Sequence, residues 1–164
     1  MIIVTVIAWI SIIFMLSSQS YQEQSIQPTL HRLLPEHIAK AMLPDVAFSY
    51  HGIYYSSKNN PYQFIEFLFR KGAHLFMYAI LAVAGALAIK VKDKLARRWP
   101  LPLILVVMIA ALDELNQRIT EGRTSNAQDV LVDLTGGCIG LLVYLAVSYV
   151  YRRHKASRSV HQMK

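Results

Sequence analysis

The chain contains one cysteine, Cys138, so an intrachain disulfide is excluded, and cysteine usage leaves the redox compartment open. Cys138 lies within an apolar run and reads as a small packing residue. Charge is scarce. Asp, Glu, Lys and Arg make up 16% of the 164 residues, against 54% hydrophobic ones, where a soluble domain carries roughly a quarter charged residues. Internal repeats, low-complexity tracts and nucleotide-binding glycine loops are absent, and the length suits a single domain.

What the chain does have is apolar blocks long enough to cross a bilayer, which takes about 20 helical residues. The first runs from Met1 to Leu16 and ends at Ser17-Ser18-Gln19-Ser20. It has no preceding Lys or Arg and no small-x-small cleavage site, so it is expected to remain as a helix rather than be removed as a signal peptide. A mixed segment follows, punctuated by Pro28 and Pro35. In it Leu33, Leu34, Ile38, Ala41 and Met42 recur at roughly helical spacing, which predicts one short amphipathic helix on the membrane surface. Tyr50, Tyr54 and Tyr55 suit the membrane interface. Asn60-Pro61 reads as a cap and first turn, opening a helix that runs through Arg70 and His74 to Ile89. The block from Leu101 is apolar only to Leu112, so a spanning helix there must carry Asp113 and Glu114. Ser125 or Asn126 is placed to cap the last helix, from about Gln128 to Tyr151.

The net charge of +7 does not point to nucleic acid, because the cations sit in short blocks beside apolar segments. Lys90, Lys92, Lys94, Arg97 and Arg98 form one block; Arg152, Arg153, Lys155, Arg158 and Lys164 form the other. Together these blocks hold ten of the seventeen Lys and Arg, which places both termini and the second loop in the cytoplasm. The expected fold is all-α: an integral membrane bundle of four transmembrane helices with an extracellular segment between the first and second spans. A membrane domain covers 1–151, with spans at about 1–18, 68–89, 101–119 and 128–151 and an outer segment at 19–67. A basic cytoplasmic tail covers 152–164.

That topology gathers the unusual polar residues at the outer face. Gln19 ends the first helix; Arg70, Lys71 and His74 enter the second; Asp113, Glu114 and Gln117 leave the third; Asp129 and Asp133 begin the fourth. Arg70, His74 and Tyr78 follow at four-residue steps, as do Asp113 and Gln117, and Asp129, Asp133, Gly136 and Gly140 share one stripe. The glycines permit a close helix contact, within or between chains. A charge at a span centre costs about 2.5–3.5 kcal/mol on insertion scales. These carboxylates, nearer the interface, are therefore expected to face Arg70, Lys71, His74 or Arg123, or a wet cavity.

A register-fixing ion-pair network would need fewer groups than this, so a ligand or catalytic site is the favoured reading. Arg70, Lys71 and Arg123 suit an anionic head group, with Arg123 just ahead of a helix start that favours phosphate. His74 is the candidate general acid or base, oriented by one of Asp113, Glu114, Asp129 and Asp133. No spacing is a metal signature and no cofactor is assigned, although paired carboxylates leave a divalent cation open. Ser17 and Ser18 sit in no nucleophile motif, and the remaining histidines read blandly.

The ordered set Ser17-Ser18-Gln19, Arg70-Lys71-x-x-His74-x-x-x-Tyr78, Asp113-Glu114-x-x-Gln117 and Arg123-x5-Asp129-x3-Asp133-x-x-Gly136 resembles the VanZ-like family across nearly the whole chain. The resemblance implies a four-helix protein of the bacterial plasma membrane, linked to resistance against the lipoglycopeptide teicoplanin without altered peptidoglycan termini. It also implies a membrane lipid or lipid-linked cell-wall precursor as partner. The leading expectation is an outward-facing site that binds such an anionic lipid and modifies its head group, as a hydrolase or transferase. The alternative is a non-enzymatic module that captures the antibiotic or shields its target. A transporter or proton relay is disfavoured, since the inner halves of the spans hold no ionisable residue. The oligomeric state is left open.

Overall fold

A computed structural model describes residues 2–89, 100–119 and 127–162, with side chains described between 128 and 155 in the last helix. Six helices and one β-hairpin appear among these residues: α1 (Ile2–Ser17), α2 (Gln27–Leu33), α3 (Glu36–Met42), β1 (Ala47–Tyr50), β2 (Ile53–Ser56), α4 (Pro61–Ala88), α5 (Pro100–Ile119) and α6 (Ala127–Gln162). The basic block from Lys90 to Arg98 and the cap candidates Ser125 and Asn126 lie outside the described residues.

Three helices are long and apolar enough to cross a membrane: α4, α5, and the Gln128–Lys155 stretch of α6. The apolar helix α1 has 16 residues, about 24 Å at 1.5 Å per residue, shorter than a hydrocarbon core of about 30 Å. Side-chain distribution agrees with a lipid-facing bundle. Ile3, Val4, Phe76, Leu142 and Val147 are exposed, while Glu66, Asp113 and Asp133 are almost fully buried. This inverts the pattern of a water-soluble domain.

The helix starts follow local sequence. Pro61 occupies the first turn of α4, where its missing N–H costs nothing. Asn60 stands at the cap position, but its side chain makes no capping bond. Pro100 begins α5, and Pro102 is buried in its first turn against Gly85 of α4.

The bundle is organised by the crossing of α4 and α6. A Cβ on Gly136 would fall inside the backbone of Leu75, and one on Gly140 inside that of Ala79. Each contact advances along both helices together, so α4 and α6 run parallel. The glycine pair thus serves a contact within the chain. Packed beside it, α5 sets Val106 against Gly137, and Leu81, Ala82, Val106, Ala110 and Leu141 fill the core. Helix α1 completes the bundle through Val6 and Ile13, and the Trp9 indole donates to the Met77 carbonyl at 2.9 Å.

The segment between α1 and α4 departs from expectation in two ways. The single amphipathic helix is two short ones, split at Leu34-Pro35, where the residue before proline takes an extended conformation. The chain is also not purely helical: β1 and β2 pair antiparallel, Tyr50 opposite Ile53. Their two-residue turn is His51-Gly52, both at positive φ (53° and 74°), the backbone that matches hairpin twist. Instead of lying free at an interface, Tyr55 is buried against Phe67 of α4 (centroids 4.5 Å). Lys58 donates to the Lys40 and Leu43 carbonyls at the end of α3 (2.6 and 2.9 Å), tying α3 to the start of α4.

Gly136→Ala is expected to destabilise the purified protein by about 1–3 kcal/mol, as overpacking does, and to lower its melting temperature in detergent. Gly72→Ala in α4 meets nothing within 4 Å and is expected to be neutral or to stabilise by up to about 1 kcal/mol. Equal effects would remove the close crossing as the organising contact.

Candidate functional site

The parallel crossing sets a ladder of paired residues at the hairpin end of the bundle. Two turns before Gly136, the Asp129 carboxylate meets Lys71 Nζ at 2.5 Å. One turn before it, Asp133 meets His74, with Oδ1 and Nδ1 3.0 Å apart. From α5, Asp113 accepts from Gln117 Nε2 at 3.0 Å, within its own helix. Glu114 and Gln117 are buried beside it. Tyr78, one turn beyond His74, is 1% exposed.

Arg70 behaves differently from the expectation that it faces these carboxylates. Its Nη2 donates to Glu66 Oε1 (3.1 Å), one helical turn back, and to the Tyr21 carbonyl (2.9 Å). The guanidinium also covers the Tyr21 ring at 3.8 Å. Glu66, 1% exposed, accepts further from Gln27 Nε2 (2.5 Å) and Ser25 (3.4 Å). Glu66 and Arg70 therefore anchor the segment after α1 onto α4. Sequence reading missed Glu66, although a Glu four residues before an Arg on a helix signals such a pair.

The hairpin supplies a second missed contact. Tyr50, at its tip, donates to Asp129 Oδ1 at 2.5 Å, and its ring lies 4.8 Å from Lys71 Nζ. Burial pushes the Tyr50 phenol well above its ordinary range, helped by the Asp129 carboxylate, so it stays protonated and donates at neutral pH. Asn116 was likewise overlooked. Its amide donates to Ser17 and Ser18 Oγ (3.3 and 3.0 Å), locking the end of α1 to α5. Gln19 accepts from Gln24 at 3.2 Å and lines the rim of the site. Arg123 lies outside the described residues.

Two cavities flank this stretch of α4. One of about 310 Å³ lies between α1, α4 and α5, with apolar walls from Ile13, Leu16 and Met77 and a polar floor of Arg70, His74 and Asp113. The other, about 90 Å³, sits under the hairpin among Tyr50, Lys71, His74, Gln117 and Asp129. Arg70 and His74 border both.

A sequence model of the family described as VanZ/LLP1 matches residues 2–148, most of the chain. The chain belongs to the VanZ/LLP1 family. No curated protein and no solved structure matches it. The family's match spans all four apolar helices and the hairpin segment between the first two.

In chemical terms this VanZ/LLP1 protein brings an imidazole against a carboxylate, two engaged cations and further buried carboxylates to the floor of an amphipathic cavity. Such an arrangement can hold an anionic group and move a proton at its edge.

Tyr50→Phe removes only the hydroxyl that reaches Asp129. Amide hydrogen exchange across β1 and β2 is expected to accelerate several-fold, with α4 and α5 unchanged. Unaltered exchange would mean that packing against Phe67 alone holds the hairpin.

Proposed function

We propose that this protein spans the bacterial plasma membrane four times and uses the cluster at the hairpin end to bind an anionic lipid or lipid-linked cell-wall precursor. The hairpin end is read as facing outward and both termini as cytoplasmic, because in sequence the two blocks rich in Lys and Arg follow the ends of α4 and α6 remote from the hairpin. The segment between α1 and α4 is then extracellular. A short α1 is accommodated by local bilayer thinning or by its neighbours.

The observation that carries the reading is the 310 Å³ cavity, apolar on its walls and ionic on its floor. Ligand pockets of about this size are mostly apolar, with a few placed polar groups. Ile13, Leu16 and Met77 suit the first methylenes of a lipid chain, and Arg70, whose Nη2 holds Glu66 and Tyr21 while its Nε has no partner, suits a phosphate beside them. Phe69, at the rim, is 62% exposed and leaves that side open to lipid. His74, held by Asp133, is the group placed to take or give a proton in modification of the head group. Asp113, Glu114 and Asp129 set the field around it, Gln19 and Tyr78 shape this cavity, and Lys71 and Gln117 shape the smaller one under the hairpin. By its place in the sequence, shortly before α6, Arg123 is proposed as a further phosphate partner.

At the family level, this activity is the proposed basis of the link to teicoplanin resistance: altered or shielded lipid precursors would change how a lipoglycopeptide engages the envelope. Capture of the antibiotic's own acyl tail in the same cavity is the alternative, and it yields no lipid product.

Purified protein in nanodiscs should bind phosphate-bearing lipid in preference to a zwitterionic one. Arg70→Ala should weaken binding about tenfold or more, as loss of a charged hydrogen bond worth about 1.5–3 kcal/mol implies. Expressed in a sensitive Gram-positive host at matched membrane levels, wild type should raise teicoplanin tolerance without changing vancomycin tolerance, and His74→Ala should not. Equal affinity for both lipids together with an inert wild type would reject the reading. Product formation would separate modification from capture.

A further inference from the structure

Three helices converge just behind the floor, where His74 and Asp113 line the cavity and Asp133 backs them. His74 from α4, Asp113 from α5 and Asp133 from α6 each bring a ligand atom within 4.8 Å of the other two. We propose that these residues hold one divalent transition-metal cation, and that its open coordination positions face the cavity and receive the ligand's phosphate. The last step rests on the lipid reading above; the cation site itself does not.

Accounting for the buried polar atoms supports the site. Asp113 Oδ2 accepts from Gln117, while Oδ1 has no hydrogen-bond partner. Asp133 Oδ1 faces His74, while Oδ2 has none. The Tyr78 hydroxyl is buried close to the same two carboxylates, Asp113 nearest in effect. An unsatisfied buried polar group costs about 1–3 kcal/mol, more when charged, so two carboxylate oxygens left open side by side mark a place built for a ligand. Among the described residues, Lys71 is engaged by Asp129 and Arg70 by Glu66. Among those same described residues, two buried carboxylates with His74 beside them leave negative charge in a low-dielectric core, and a dication answers it.

The geometry and donor set narrow the ion. His74 Nδ1 and Asp133 Oδ1 are 3.0 Å apart, hydrogen-bonded to each other, and a small shift would let both reach a common metal at about 2.1 Å. An imidazole nitrogen with two carboxylates favours manganese, iron or zinc over calcium, which takes oxygen ligands. Three protein ligands leave positions open for a substrate oxygen. Gln117 holds Asp113 from behind, as outer partners of metal ligands commonly do.

The test uses full-length protein in detergent, stripped with chelator and titrated with Mn2+, with bound metal read by the loss of the aqueous Mn2+ EPR signal and by elemental analysis. One Mn2+ per chain is expected, displaced by Zn2+ but not by equimolar Ca2+. Asp113→Asn and His74→Gln should each weaken it by about tenfold or more, whereas Glu36→Gln, an exposed carboxylate in α3, should not. Each variant must first elute as a monodisperse peak; a variant that does not is replaced by Tyr78→Phe, expected to weaken binding several-fold. Absence of stoichiometric Mn2+, or binding indifferent to these substitutions, overturns the site. Lipid binding measured on the stripped protein separates the two readings. Lipid bound without any metal site removes the cation alone, and metal bound without any lipid preference removes the lipid.

Discussion

Everything at the hairpin end depends on how closely α4 and α6 approach. Because Gly136 and Gly140 have no side chains, the backbones at Leu75 and Ala79 fill that space. Short side chains one and two turns earlier can then reach across. Asp133 meets His74 and Asp129 meets Lys71 without long, entropically costly extension. A bulkier residue at either glycine would separate both pairs. Packing sets the electrostatics here, rather than the reverse.

The charged groups fall into two sets with different work. Glu66 and Arg70 tie the segment after α1 to α4, and every described bond they make serves that anchoring. Lys71 and Asp129 do the same for the hairpin through Tyr50. The deeper set of His74, Asp113 and Asp133, with Tyr78, retains polar atoms without partners. Buried polar groups in native proteins are nearly always satisfied. Arg70 Nε and His51 Nε2 at the rim also lack partners, but among the described residues only the floor brings two carboxylates and an imidazole together with unpartnered oxygens, which supports a site completed by what it binds.

Much of this was legible in the sequence because a membrane exaggerates the signals involved. Apolar blocks announced the helices, and carboxylates such as Asp113 and Asp133 stood out because a bilayer tolerates so few. Four-residue spacing gave the Asp113–Gln117 contact and the stripe from Asp129 to Gly140. The segment between α1 and α4 was less legible. Its hairpin turns on His51-Gly52, a weaker turn signature than Asn-Gly, and β1 and β2 have four residues each, too few for a firm alternating pattern. The partner of Arg70 was misjudged because charge complementarity pointed to carboxylates on other helices, while a local one four residues away was overlooked. Only the folded chain brings Tyr50 to Asp129, 79 positions apart.

The central claim is that the buried floor serves binding at the expense of stability. Proteins commonly hold such groups at a cost, and replacing Asp133 by Asn tests this by removing the buried carboxylate while keeping its size and shape. The decisive measurement is the melting temperature of Asp133→Asn in detergent, taken beside its affinity for phosphate-bearing lipid. The account predicts a melting temperature equal to or above wild type with affinity reduced about tenfold or more, the loss of a charged hydrogen bond. A melting temperature that falls by several degrees while affinity is retained would contradict it, and would make the His74–Asp133 pair a structural tie.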